Sequence, residues 1–236
     1  MNHYVLDLET VALPKETLLA IMPAFEAASN IKDEAKIAAD IAKKQEAWLE
    51  SAALEAHRSS LLAIGILHEG EAMIWHGEDE ALMLRGLRDF AIKYHDKIVV
   101  GHNLLGYDLP YAVRRMWKHG IQPPSAWLDC TPWKAKFAYD TCHEWGCGNR
   151  DKISLDMLAW HLLGQRKTGS GADFAALYAT DKVAAIAYLK QDLKLTEGCY
   201  QKMTKREEVT QLWTESAPKA KMGKTVFAPD RNDILC

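Results

Sequence analysis

Apolar and acidic side chains alternate along Tyr4-Val-Leu-Asp-Leu-Glu-Thr10, the period-two texture of a short strand. From Pro14 to His57 the texture changes. Alanine, lysine and glutamate dominate there, and Ile31, Ile37, Ile41 and Trp48 recur at roughly helical spacing, which predicts one or two amphipathic helices. Two apolar runs, Ser60–Leu67 and Ala72–Trp75, flank His68-Glu69-Gly70-Glu71 and predict a β-hairpin. Leu82, Leu84, Leu87 and Phe90 give Glu78–Tyr94 a helical period, and Ile98-Val99-Val100 reads as a buried strand ending at Gly101. Leu109–His119 reads as a helix stopped by Gly120 and Pro123-Pro124, and Trp127–Cys130 as a short strand. Pro132–Arg150 is irregular, aromatic and cysteine-bearing, and yields no assignment. Ser154–Leu163 reads as a helix with Ser154 as its N-cap, followed by a basic, glycine-rich loop, Gly164–Gly171. A last strong helix runs from about Lys182 to Arg206, and the segment from Ala217 reads as a loosely docked tail.

This order predicts an α/β fold, a mixed sheet flanked by helices, with a helical insertion at about 15–57 after the first strand. One domain, residues 1–216, and a C-terminal tail, 217–236, account for the 236 residues. Hydrophobic residues at 48% and charged residues at 26% match a soluble globular protein, and no apolar run reaches the ~18 residues of a membrane span. Five cysteines without a paired framework suit a reducing compartment, hence a cytoplasmic location. A net charge of −3 argues against binding nucleic acid by bulk charge alone. It leaves a nuclease open, because metal ions invert the field of a carboxylate-lined cleft.

The candidate chemistry lies in acidic residues at strand ends and on one late helix. Asp7 and Glu9 are two apart on a strand and face the same way. Two acids beside apolar residues are costly unless a cation joins them, and hard oxygen ligands suit Mg²⁺ or Mn²⁺. The plainer alternative is an edge strand with its polar face in water. Asp108 follows the middle strand by a short loop, as a metal ligand or as the cap of the next helix. Tyr188 and Asp192 are four apart on the last helix, where a boundary tyrosine above an exposed aspartate is the plainer reading. Cys130, Cys142, His143 and Cys147 lack a C-x2-C pair and match structural zinc sites poorly. Asp129 and Asp156 read as framework or capping acids, and His161 as a core or boundary histidine.

Together, Asp7-x-Glu9, Asn103-x4-Asp108 and Tyr188-x3-Asp192, in this order, resemble the DEDD family of 3′–5′ exonucleases in its tyrosine subgroup. The chain looks most like the bacterial and phage exonucleases related to the proofreading domain of family B DNA polymerases. Asn30–Ile37, Lys167–Phe174 and Ala187–Leu193 also carry the likeness, which spans about residues 1–200 and departs from the family pattern at Leu54–Ser60. The resemblance implies a ribonuclease H-like fold and two divalent ions, Mg²⁺ or Mn²⁺, held by Asp7, Glu9, Asp108 and Asp192. It implies that Tyr188 orients the attacking water and that 5′-mononucleotides leave the 3′ end of DNA, single-stranded DNA being favoured. Expected substrate contacts are Thr10, His102, Asn103, Arg166 and Lys167. Expected partners are DNA with a free 3′ end and replication or recombination proteins acting in trans, with no membrane. A 3′–5′ exoribonuclease of the same superfamily and a non-catalytic nucleic-acid-binding accessory stay open as alternatives.

Overall fold

β1 (His3–Ala12) is the middle strand of a five-stranded sheet, and its alternation decides which helices cover which face. The order is β3-β2-β1-β4-β5, with β2 (Ser59–His68), β3 (Glu71–His76), β4 (Ile98–Gly101) and β5 (Ala138–Asp140). β1 pairs antiparallel with β2 and parallel with β4; β2–β3 is antiparallel and β4–β5 parallel. The sheet is therefore mixed, as the element order predicts. In the computed structural model residues 2–149, 151–169 and 174–205 are described. One compact unit covers Met1–Met203; of the second, Thr204–Cys236, only Thr204 and Lys205 are described, so the expected tail lies outside the described residues.

The even positions of β1, Tyr4, Leu6 and Leu8, join Ile64, Ile66 and Val99 beneath α3 (Glu80–Lys93) and α4 (Asp108–Lys118). These helices contribute Met83, Leu84, Leu87, Leu109 and Met116 to the largest core cluster. On the other face Val5, Leu67 and Val100 meet Leu193, and Ala63 meets Leu189 and Phe174. Those partners come from α7 (Phe174–Thr180) and α8 (Lys182–Thr204). The period of two thus splits one strand between two helical layers.

The β2–β3 hairpin turns through Glu69 (φ 53°) and Gly70 (φ 85°), the two positive values that a tight type I′ turn requires. The insertion forms two helices, α1 (Lys15–Ile21) and α2 (Glu34–Glu50), followed by a 3-10 turn, Ser51–Leu54. α2 is capped by Asp33, whose carboxylate accepts the Lys36 N–H, and none of its residues is buried. Its alanine, lysine and glutamate content favours a helix without a core behind it. α3 and α4 are pinned by a buried charged node. Glu80 accepts from Arg115 Nε at 2.7 Å, the Leu61 N–H at 2.8 Å and His119 Nε2 at 2.8 Å, and Arg115 also donates to the Ala56 carbonyl.

Two segments differ from the sequence reading, and two helices escape it. Trp127–Cys130 is no strand: Ser125–Leu128 is a 3-10 turn that buries Trp127, with Pro124 (φ −55°) leading into it. β5 comes from the irregular stretch, where three residues are too few to show a period. α7 went unpredicted because seven residues display barely two helical turns. α5 (Thr141–Trp145) and α6 (Leu155–Leu163) complete the helices, the latter capped by Ser154 and stopped by Gly164 at φ 68°. His161 is exposed, not a core residue, with its ring against Trp145. Among the described residues no helix is long and apolar enough to cross a membrane.

Candidate metal centre

Asp7 and Glu9 occupy odd positions of β1, on the face that α8 covers. Opposite Asp7 on β2 stands Gly65. A Cβ there would lie 2.9 Å from Leu193 Cδ1 and 3.0 Å from Leu189 Cγ, so glycine is what lets α8 rest directly on the sheet. Tyr188 and Asp192, one helical turn apart, both turn inward to this face and are buried. One oxygen from each of Asp7, Glu9 and Asp192 lies within 4.8 Å of the others. Among the described residues no other trio of His, Cys, Asp or Glu does so. Three carboxylates converging in this way can hold a divalent metal ion.

Asp108 opens α4 and is buried next to the trio but outside it; its Oδ1 accepts the Leu8 N–H at 3.1 Å. The contact ties the start of α4 to β1 between Asp7 and Glu9.

The electrostatics of the trio express a shortage of cations. Burial, reinforced by Asp7 and Asp192, pushes the Glu9 carboxyl up to about 10. Burial and then Asp192 push Asp7 up to about 7, against the pull of Lys167. Burial, then Asp7, holds Asp108 well above the usual carboxylate range. Asp192 is raised by burial and eased by Lys167, whose ammonium sits 2.5 Å from its Oδ2. That one lysine, 5.0 Å above the Tyr188 ring, faces several desolvated acids. Burial, followed by the proximity of Asp192, keeps the Tyr188 phenol protonated far beyond its ordinary range. The Tyr188 hydroxyl and Asp192 Oδ1 are buried beside one another, and neither completes a hydrogen bond of ordinary geometry. Unsatisfied groups of this kind cost on the order of 1–3 kcal/mol each unless something binds them. An orphaned acid oxygen inside a carboxylate trio fits a divalent cation.

The loop that follows α6 carries the lysine. Asp156 accepts from Arg166 Nε and the Lys167 N–H, both at 2.9 Å, and Gln191 Oε1 accepts the Thr168 N–H at 3.2 Å. The loop is thereby clipped to α6 and α8, with Arg166 at the surface and Lys167 directed inward. Residues 170–173, which complete the glycine-rich stretch, lie outside the described residues.

The other expected contacts are engaged within the protein. Thr10 donates its hydroxyl to the Ala53 carbonyl at 2.7 Å and lies 3.1 Å from the Tyr107 hydroxyl. The His102 ring spans Thr141 Oγ1 at 2.9 Å and the Ile153 carbonyl at 2.8 Å. Asn103 has the left-handed backbone (φ 59°), and its N–H goes to Asp140 Oδ1 at 2.8 Å. Asp140 escaped the sequence reading. Its buried carboxylate accepts N–H bonds from Asn103, Leu105, Cys142 and His143, and so fixes the loop that delivers Asp108. The only sequence signal is an acid just before a short helix, a pattern shared by most N-caps. The thiols of Cys130 and Cys142 face the carbonyls of Trp127 and Ile153, and Cys147 is exposed.

A mixed five-stranded sheet in this order, with an acidic trio between its middle strand and a late helix, is a ribonuclease H-like α/β fold carrying a candidate metal centre. No family model matches the sequence, and no curated protein matches it. Among solved structures the chain is similar to the family B DNA polymerase from the hyperthermophilic archaeon Pyrobaculum calidifontis. The two share 14% identity and a TM-score of 0.56, over 85% of this chain and 24% of that one. The chain therefore spans about a quarter of that polymerase's length, and likeness at this identity is likeness of fold.

Proposed function

We propose that the chain is a metal-dependent 3′–5′ exonuclease that releases 5′-mononucleotides from DNA, acting on single strands. The observation that carries the reading is the convergence of Asp7, Glu9 and Asp192 within 4.8 Å, with Asp192 Oδ1 left unsatisfied. The fold shared with a DNA polymerase supports it, as do the three acidic motifs in their order along the chain.

Asp7, Glu9 and Asp192, with Asp108 beside them, would hold two divalent cations. When bound, these would neutralise the phosphodiester and lower the cost of deprotonating water. The protein's own groups do the rest. Tyr188 keeps its phenolic proton and, held beside Asp192 without a hydrogen bond of ordinary geometry, offers its hydroxyl to orient a water or a phosphate oxygen. Lys167 balances Asp192 and stands ready to meet substrate phosphate, with its backbone fixed by Asp156. α8, packed on the face that carries the trio, removes much of the water around Glu9 and Asp192, which strengthens each charge interaction there.

Single-stranded DNA labelled at its 5′ end, incubated with Mg²⁺ or Mn²⁺ and resolved on a sequencing gel, tests the reading. Wild type should give a ladder shortening from the 3′ end, and Asp7→Ala none. Matched RNA degraded faster than DNA would reassign the substrate, and no metal-dependent cleavage of either would sink the proposal.

A further inference from the structure

A strand that ends in an acidic trio needs cations along its approach, since the phosphates and the protein carry the same sign of net charge. α4 supplies them. It leaves the border of the trio at Asp108 and, rising about 1.5 Å per residue, carries Arg114 about 9 Å and Lys118 about 15 Å farther along its axis. Both side chains are exposed, and among the described residues neither has an ion-pair partner. Beside them opens a cleft of about 520 Å³ lined by Glu55, Ala56, His57, Arg114, Arg115 and Lys118.

The charges within this cleft do not cancel. Arg115 is already committed to Glu80, and Glu55 lies 3.9 Å from both His57 Nδ1 and Arg58 Nη2. Arg114 and Lys118 remain as an uncompensated positive pair. The far wall of the cleft is also tied to the candidate centre. It continues from the 3-10 turn, whose Ala53 carbonyl accepts from the hydroxyls of Thr10 and Tyr107, one residue beyond Glu9 and one before Asp108.

We propose that this cleft is the path of the single strand upstream of its 3′ terminus, with Arg114 and Lys118 on its phosphates. The assignment rests on the exonuclease reading and specifies how that enzyme holds a strand longer than the nucleotides in its centre.

The test compares wild type with Arg114→Ala/Lys118→Ala as full chains with Ca²⁺ as the bound cation. Fluorescence anisotropy follows a long oligothymidylate and a dinucleotide across a range of KCl, and the same pair is assayed for cleavage with Mn²⁺. Two lost phosphate contacts should weaken the long strand on the order of tenfold at about 0.1 M salt and reduce its salt slope by about 1.4. The dinucleotide, too short to reach Arg114, should bind both proteins alike. An unchanged slope would overturn the proposal and hand the cleft to a partner other than nucleic acid. Equal weakening on the dinucleotide would overturn it as damage to the centre, and a wild type that binds no oligonucleotide would overturn it outright. Strand binding with the expected slope change but without metal-dependent cleavage would keep the cleft and remove the exonuclease reading.

Discussion

Glu9→Gln separates what the acidic trio costs the fold from what it does for function. The Glu9 carboxyl, 7% exposed, is pushed from an ordinary 4.5 up to about 10 by burial and by Asp7 and Asp192. Its folded value lies above its unfolded value, so its stabilising share is complete below the unfolded value and is lost as pH rises toward the folded one. Above pH ~5 the unfolded chain has released a proton that the native protein keeps. Each unit of rising pH then removes about 1.4 kcal/mol, up to about 4 kcal/mol between pH ~5 and ~8. Glutamine is isosteric with the protonated acid and carries no such penalty. Without metal at pH ~8, Glu9→Gln should be the more stable protein by about 2–4 kcal/mol, several degrees in Tm for a domain of this size. At pH ~5 the two should melt together. Mn²⁺ should reverse the order at high pH, because only the wild type then offers the full set of ionised ligands. Thermal melts across pH, in EDTA and in Mn²⁺, read all of this. A wild-type Tm independent of pH in EDTA, or a variant less stable than wild type at pH ~8, would refute the reasoning.

The remaining predictions concern the framework around the centre. Glu80→Ala should cost about 3–5 kcal/mol in urea unfolding, because it strands the buried Arg115 guanidinium. Bonds from Arg115, Leu61 and His119 hold Glu80 below its ordinary range despite burial, so its stabilising share is present above about pH 4.5 and fades as acid titrates the folded carboxylate. Tyr188→Phe removes a buried hydroxyl that makes no hydrogen bond of ordinary geometry, so stability should stay within about 1 kcal/mol of wild type while kcat falls by about 10²-fold or less. A loss as large as that of Asp7→Ala would make the phenol essential rather than orienting. Gly65→Ala should lift α8 from β1, costing about 1–3 kcal/mol and weakening Mn²⁺ binding together; full metal affinity would show that the trio tolerates the displacement.

The elements with long, clean periods were legible in the sequence. β1, the β2–β3 hairpin, α3, α4 and α8 each repeat their apolar positions often enough for the period to declare itself, and β4 shows as an unbroken apolar run ending at Gly101. β5 and α7 are too short for that, and the turn at Trp127 reads as a strand because a short Trp-Leu pair carries no period to tell the two forms apart. Spacing along one element also placed Asp7 beside Glu9 and Tyr188 beside Asp192, since backbone geometry alone fixes those pairs. Nothing local could say that the two pairs meet. That depends on Gly65, a residue with no chemistry, whose missing side chain lets α8 settle on β1. Nor could spacing show Asp108 turned onto the Leu8 N–H, Asp140 gathering four backbone donors, or Lys167 set against Asp192. The sequence by itself determined which groups could act and which way each faced along its own element. The tertiary structure decided which of them share a site and how far desolvation shifts their protons, because burial and charge are properties of neighbours that are distant along the chain.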